Sequence, residues 1–147
     1  MRVVGHAVLL AITVLGLGLR LWRIGAESLW FDEWFSLGRA FDPLWELIGG
    51  ARTSLSPPLY YVLLKPFVHL LGDSEWALRL PSALAGAAAI PLLARVGRRL
   101  FGRMTGLSAA FLLAVSSYHI RYSQEARMYA LVVLLGLLSM EFFLAGR

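Results

Sequence analysis

The sequence predicts an all-α protein that crosses a membrane about four times and carries short helices on the membrane surface in its first outer loop. Three observations predict this. Apolar residues make up 59% of the 147 and charged residues only 16%, the balance of an integral membrane protein. Several uncharged stretches are about as long as a bilayer core is thick. The arginines flank those stretches rather than gathering on one polar face, so the net charge of +5 reads as membrane orientation and not as a nucleic-acid footprint. There is no cysteine, which excludes a disulfide framework and a thiolate metal site.

Val3 to Leu19 carries no formal charge and, at 1.5 Å per residue, nearly crosses a core of about 30 Å. Leu21 and Trp22 complete a first span over 3–22, with Arg20 and Arg23 expected to snorkel to the interface. Arg2 before an apolar stretch resembles a signal peptide, but no clear small-x-small site follows it, so the stretch reads as an uncleaved span.

Residues 23–75 form the first outer loop. From Gly25 to Ser56 it mixes aromatics with Asp32, Glu33, Arg39, Asp42, Glu46, Arg52 and Gly49-Gly50, a composition that keeps it out of the hydrocarbon. Phe41 to Ile48 is expected as a short surface helix with Asp42 as N-cap and Pro43 at its first position. Leu55 to Gly72 is apolar enough to span, yet it contains Lys65, Pro66 and His69. Tyr61, Lys65 and His69 share one helical face, expected toward water or a cavity. Leu59, Leu63, Phe67 and Leu70 take another, expected in the acyl boundary. An interfacial helix fits that pattern better than a span, and Pro66 would interrupt the hydrogen-bond ladder of a span at mid-depth.

The second span covers 76–96, with Arg79 and Arg95 at its ends, kinks expected at Pro81 and Pro91, and a small-residue face at Ala85 to Ala89. Arg98 to Arg103 is a tight basic loop. The third span covers 104–120, Arg121 to Arg127 is a short polar loop, and the fourth span covers 128–146 with Glu141 near its end.

Arg2, Arg95, Arg98, Arg99, Arg103 and Arg147 then lie with the termini, against eight basic residues on the other face. That raw tally does not orient the chain. The other face also holds eight of the nine acids, however, and the dense short loop at 98–103 weighs most, so the termini are expected in the cytoplasm. Asp32, Glu33, Lys65, Arg79, Glu125 and Arg127 then share the exoplasmic face.

That one-sided group suits an anionic substrate presented by the bilayer. Asp32 sits among Trp30, Phe31, Trp34 and Phe35 and is placed to act as a general base on a hydroxyl. Lys65, Arg79 and Arg127 have the chemistry to hold a phosphate. Each has a plainer reading: Arg79 as a snorkelling anchor, Lys65 as a headgroup anchor, and Arg121 with Glu125 as a local i, i+4 ion pair. His6, His69 and His119 lack metal-ligand spacing. No phosphate-cradling glycine loop, nucleophile elbow or zinc signature is present.

Five segments occur in order: Trp30-Phe31-Asp32-Glu33, Ser56-Pro57-Pro58-Leu59-Tyr60-Tyr61, Arg79-Leu80-Pro81-Ser82-Ala83-Leu84, Gly97 to Arg103, and Tyr122-Ser123-Gln124-Glu125-Ala126-Arg127-Met128-Tyr129. Together they resemble the N-terminal part of the polyprenyl-phosphate-sugar-dependent membrane glycosyltransferases of GT-C fold. That superfamily includes the protein O-mannosyltransferases and the aminoarabinose transferases. The resemblance covers the chain from about Leu21 onward.

It implies a single unit over 1–147 that moves a sugar from a polyprenyl-phosphate donor to an acceptor hydroxyl at the outer face of the plasma membrane, with inversion. Asp32 would be the base, Glu33 its support and Glu125 a further acid of the cavity. Lys65, Arg79, Arg127, Tyr61 and Tyr129 would bind substrate and phosphate. The expected partners are membrane lipid, the lipid-linked donor and a protein, glycan or lipid acceptor. The carboxylates of Asp32 and Glu33 would suit Mg²⁺ or Mn²⁺, although no full ligand set is visible. Relatives often carry histidine or lysine where this chain has Ser56, and they continue through further spans, so a fragment of a longer enzyme is expected. The alternative is a non-catalytic membrane subunit or lipid-binding remnant that keeps the fold.

Overall fold

A computed structural model describes residues 2–49 and 57–146, without the side chains of residues 2–4. Gly50, Arg52, Ser56 and Arg147, invoked above, lie outside the described residues, as does the side chain of Arg2. Within them the chain is all-helical: α1 (Arg2–Leu21), α2 (Phe31–Phe41), α3 (Leu44–Gly49), α4 (Pro58–Leu71), α5 (Glu75–Phe101), α6 (Arg103–Val115), α7 (Ser117–Ser123) and α8 (Tyr129–Ala145). Among them α5 is the helix long and apolar enough to cross a membrane by itself.

α5 is the axis of the molecule, with α1, α6 and α8 packed along it and α4 and α7 against its first half. It begins with Glu75 and ends with Arg98 and Arg99, charges that complement its dipole at both ends. It stays helical through Pro81 and Pro91. Its inward face is small, with Ala77, Ala83, Gly86, Ala87, Ala89, Ala94 and Gly97 all buried, which lets neighbouring backbones approach. The approach is close at Gly97, where an added Cβ would stand 2.9 Å from the Cα of Gly106 on α6.

The basic loop expected at 98–103 is shorter in the structure. Arg98 and Arg99 belong to the last turn of α5, and Gly102 alone joins α5 to α6. Its φ of +90° is a conformation that glycine adopts without the steric cost of a Cβ.

The third span is not one helix. α6 stops at Val115, and Ser116 caps α7, its hydroxyl accepting from the His119 amide at 3.3 Å. The break frees carbonyls at the end of α6, and Arg20 takes two of them. Its Nη1 donates to Ala114 at 3.2 Å and its Nη2 to Leu113 at 3.1 Å. Arg20 therefore does not snorkel to the interface as expected. It is fully buried because open carbonyls inside the bundle hold it better than water at the edge would. Gln124 returns the favour, its amide lying 2.9–3.3 Å from the carbonyls of Leu19, Arg20 and Trp22 at the end of α1.

Residues 31–41, read from sequence as loop, form α2. Asp32 and Glu33 occupy its first turn and Arg39 its last, the charge order a helix dipole favours. The surface helix starts later than expected, at Leu44, with the Pro43 carbonyl accepting from Glu46 and Leu47. Asp42 is not its N-cap; it pairs with Arg39 at 2.8 Å.

α4 stays at one end of α5. Gly72 to Ser74 lead directly from the end of α4 into the start of α5. At the other end of α4 the Tyr60 hydroxyl meets Ser82 Oγ at 2.9 Å, seven residues or about 10 Å along α5. The remaining contacts sort the same way. Gln124 against Leu19–Trp22 and Arg127 against Ser82 mark one end of the bundle. Gly102 and the Arg99–Glu141 pair at 3.0 Å mark the other. The described ends of the chain, the start of α1 and the end of α8, share the Gly102 end.

Candidate active site

Asp32 and Glu33 are adjacent, so on α2 their side chains leave the helix about 100° apart. Glu33 turns inward and is fully buried. Arg79 grips it bidentately, Nε to Oε1 at 2.8 Å and Nη2 to Oε2 at 2.7 Å. The Ala126 amide donates to Oε1 at 2.8 Å, and the Trp30 amide lies 3.5 Å from Oε2. One carboxylate thus ties α2, α5 and the 124–128 loop together.

Arg79 has no donor left for a ligand. Beyond Glu33 it donates through Nη1 to Ile24 and Glu27 at 2.8 and 2.9 Å, and through Nη2 to Ser28 at 3.3 Å. All five N–H groups of its guanidinium are engaged inside the protein, and the side chain neither snorkels nor faces an open phosphate site.

Asp32 turns the other way and stays accessible, with 36% of its side chain exposed. Its Oδ2 stands 3.6 Å from Nη2 of Arg127, a loose pair. The Arg127 Nε is buried with no acceptor, and its guanidinium lies 6.0 Å from the Tyr129 ring centre, within cation–π range. Tyr129 packs edge-on to Tyr122 at 4.9 Å, and Tyr122 lies 4.7 Å from Tyr118. An aromatic row therefore leads away from the Asp32–Arg127 pair.

Tyr129 also lines a cavity of about 1120 Å³ bounded by Trp30, Glu33, Arg79, Tyr122 and Glu125. Glu125 is mostly buried and paired with the exposed Arg121 at 3.6 Å. Burial pushes its carboxyl above the ordinary range; Arg121 pulls it back and the nearby Glu33 adds to the rise. A carboxyl tuned upward in a cavity holds a proton closer to neutral pH, where proton transfer is most useful.

Lys65 and Tyr61 belong to a different group. Lys65 Nζ donates to the carbonyls of Ala40 and Asp42 at 3.0 and 2.8 Å, closing the C-terminus of α2. Tyr61 is buried against Phe35, Tyr60 and Arg39. Tyr61 and Lys65 of the expected stripe thus pack toward α2 and not toward water, because the end of α2 needs a donor that Lys65 supplies. Only His69 on that stripe is exposed, 6.1 Å from Phe41. Leu59, Leu63 and Leu70 do remain exposed.

Two residues that carry the site were not singled out in the sequence. Ser82 accepts or donates at Tyr60 and donates to the Arg127 carbonyl at 3.0 Å, so it sets the height of the loop that bears Arg127. Burial pushes the Tyr60 hydroxyl above its ordinary value and keeps it neutral in that chain. Gln124 fixes the same loop to α1. Both lie within the segments quoted above, but nothing in their identity marks them as clamps.

A divalent metal at Asp32 and Glu33 does not fit. The two carboxylates diverge, both oxygens of Glu33 are already bonded, and no group of three His, Asp or Glu residues converges among the described residues.

Residues 56–146, more than half of the chain, match the protein family described as dolichyl-phosphate-mannose-protein mannosyltransferase. Comparison with curated proteins and with solved structures returns no significant match.

Proposed function

The chain belongs to the dolichyl-phosphate-mannose-protein mannosyltransferase family, membrane-integral glycosyltransferases of GT-C type, and on that premise we propose that it transfers a sugar from a polyprenyl phosphate to an acceptor hydroxyl at the outer face of the plasma membrane. On the family's description the sugar is mannose and the acceptor a protein. The observation that carries the reading is the split between the paired carboxylates. Glu33 is consumed in holding the fold, while Asp32 stays open beside an arginine whose Nε has no partner.

In this reaction Asp32 takes the proton of the acceptor hydroxyl as its oxygen bonds to the anomeric carbon. The bond from that carbon to the donor phosphate oxygen breaks, and the electron pair leaves on the lipid phosphate. Arg127 bears the growing phosphate charge, where a fixed cation stabilises the transition state more than the ground state. Displacement from the opposite face inverts the anomeric centre. Glu125 and Tyr129 line the neighbouring cavity, and Tyr129 links that cavity to Arg127. Arg79, Lys65 and Tyr61 act by positioning the elements.

Four crossings follow the chain through α1, α5, α6 with α7, and α8, supported by the apolar outer surfaces of α1, α6 and α8. α2, α3 and α4 lie along the outer interface, where Phe31, Trp34, Trp45 and Leu70 expose apolar surface.

Sugar transfer from a polyprenyl-phosphate donor, assayed in membranes holding equal amounts of protein, tests the assignment. Asp32→Asn is expected to lower the rate by about 100-fold or more, the usual weight of a general base. Turnover near that of the native protein would remove Asp32 from the mechanism, whereas absence of transfer by the native protein itself would favour a non-catalytic subunit.

A further inference from the structure

At the end of the bundle away from Asp32, a second cavity of about 560 Å³ opens between α1, α5 and α6. His6, Arg95, Arg98 and Arg103 line it together with Leu9 and Leu107, and no acidic side chain lines it among the described residues. The acid of that end, Glu141, is tied to Arg99, which is not part of the wall. We propose that this cavity binds the phosphate headgroup of an anionic phospholipid from the inner leaflet. The proposal rests on the membrane reading of the bundle but not on the chemistry at Asp32.

Three guanidiniums around one opening match a phosphate, which they recognise through paired N–H donors. Basic pockets between membrane helices on the cytoplasmic side are suited to lipid headgroups. The shape selects the lipid over free phosphate. From Arg98 down to Pro91 the wall runs about 10 Å along α5, and its lower part is apolar. That depth serves the start of an acyl chain and gives an inorganic ion nothing. Arg103 also lies over Gly5 of α1, where any Cβ would strike its guanidinium, so the arginine reaches across to the far wall through the space a glycine leaves.

The purified chain, extracted in detergent and given equal phosphatidylglycerol and phosphatidylethanolamine, is examined by native mass spectrometry for retained lipid. Phosphatidylglycerol is expected to be retained in preference. Arg95→Gln with Arg98→Gln should weaken that retention by about fivefold per arginine. Arg99→Gln should leave it unchanged. Leu9→Trp, which fills the apolar part and keeps every arginine, should expel the lipid while inorganic phosphate still binds; this arm decides the matter if the double glutamine variant does not fold. Equal retention of the two lipids, or undiminished phosphatidylglycerol in the double variant, would overturn the proposal. So would lipid retention unaffected by Leu9→Trp. Asp32→Asn should keep the lipid whatever happens to sugar transfer, so failure here and failure of the transferase reading are told apart.

Discussion

Glu33 and Asp32 have the same chemistry one residue apart, and the helix gives them opposite fates. Replacing Glu33 by glutamine leaves the Arg79 charge buried without its counter-ion, which costs about 3–5 kcal/mol. Asp32→Asn touches only a loose, partly exposed pair and should cost about 1 kcal/mol or less. Thermal unfolding of the two variants in detergent is expected to separate them clearly, with Glu33→Gln far below the native protein and Asp32→Asn close to it. Equal midpoints would mean that Glu33 does not hold the fold. The importance of the pair was legible in the sequence, since two acids in an aromatic cluster stand out. Which acid stays free was not, because it depends on the direction α2 takes. Arginine misled in the same way. Arg20, Arg79 and Arg95 read alike as charges at span ends, yet Arg20 and Arg79 are buried in nets of carbonyls and Arg95 is exposed. A guanidinium goes where unsatisfied acceptors are, and those acceptors exist only once the helices have packed.

At the scale of elements, long apolar runs bounded by charge gave α1 and α8 close to their observed limits and the start of α5, which continues to Phe101 past the expected end at 96. The signal failed where a helix stops inside an apolar run. Ser116 and Ser117 are uncharged, so 104–120 read as continuous, although a hydroxyl that can cap marks the break between α6 and α7. α2 was missed because its aromatics and charges read as loop, even with acids in its first turn and a base in its last. The small residues of α5 were read as a packing face, and the closest approach falls at Gly97 and Gly106. Gly97→Leu must push α6 away and should destabilise the bundle by about 1–3 kcal/mol or more. Gly136→Leu on α8, where an added Cβ meets nothing within 4 Å, should leave the unfolding midpoint unchanged. A similar fall in both would show that the α5–α6 contact is not specific.

On the scale of the whole molecule, a shared outer site requires the two ends of the bundle to lie on opposite sides of a membrane. Asp32, Glu125 and Arg127 belong to one end, and the arginines around Gly102 belong to the other. α4 decides this, because a crossing there would invert everything after it and separate Asp32 from Glu125 by the membrane's thickness. Its turn-back beside Ser82 and the capping of α2 by Lys65 argue against a crossing, as does the cost of a lysine at mid-bilayer, about 2.5 kcal/mol or more. The chain has no cysteine of its own, so single cysteines at Asp73 and at Gly102 report without background. Intact cells treated with a membrane-impermeant thiol reagent are expected to show labelling at position 73 and none at position 102. Labelling at 102 with protection at 73 would contradict the shared outer site and the transferase mechanism built on it.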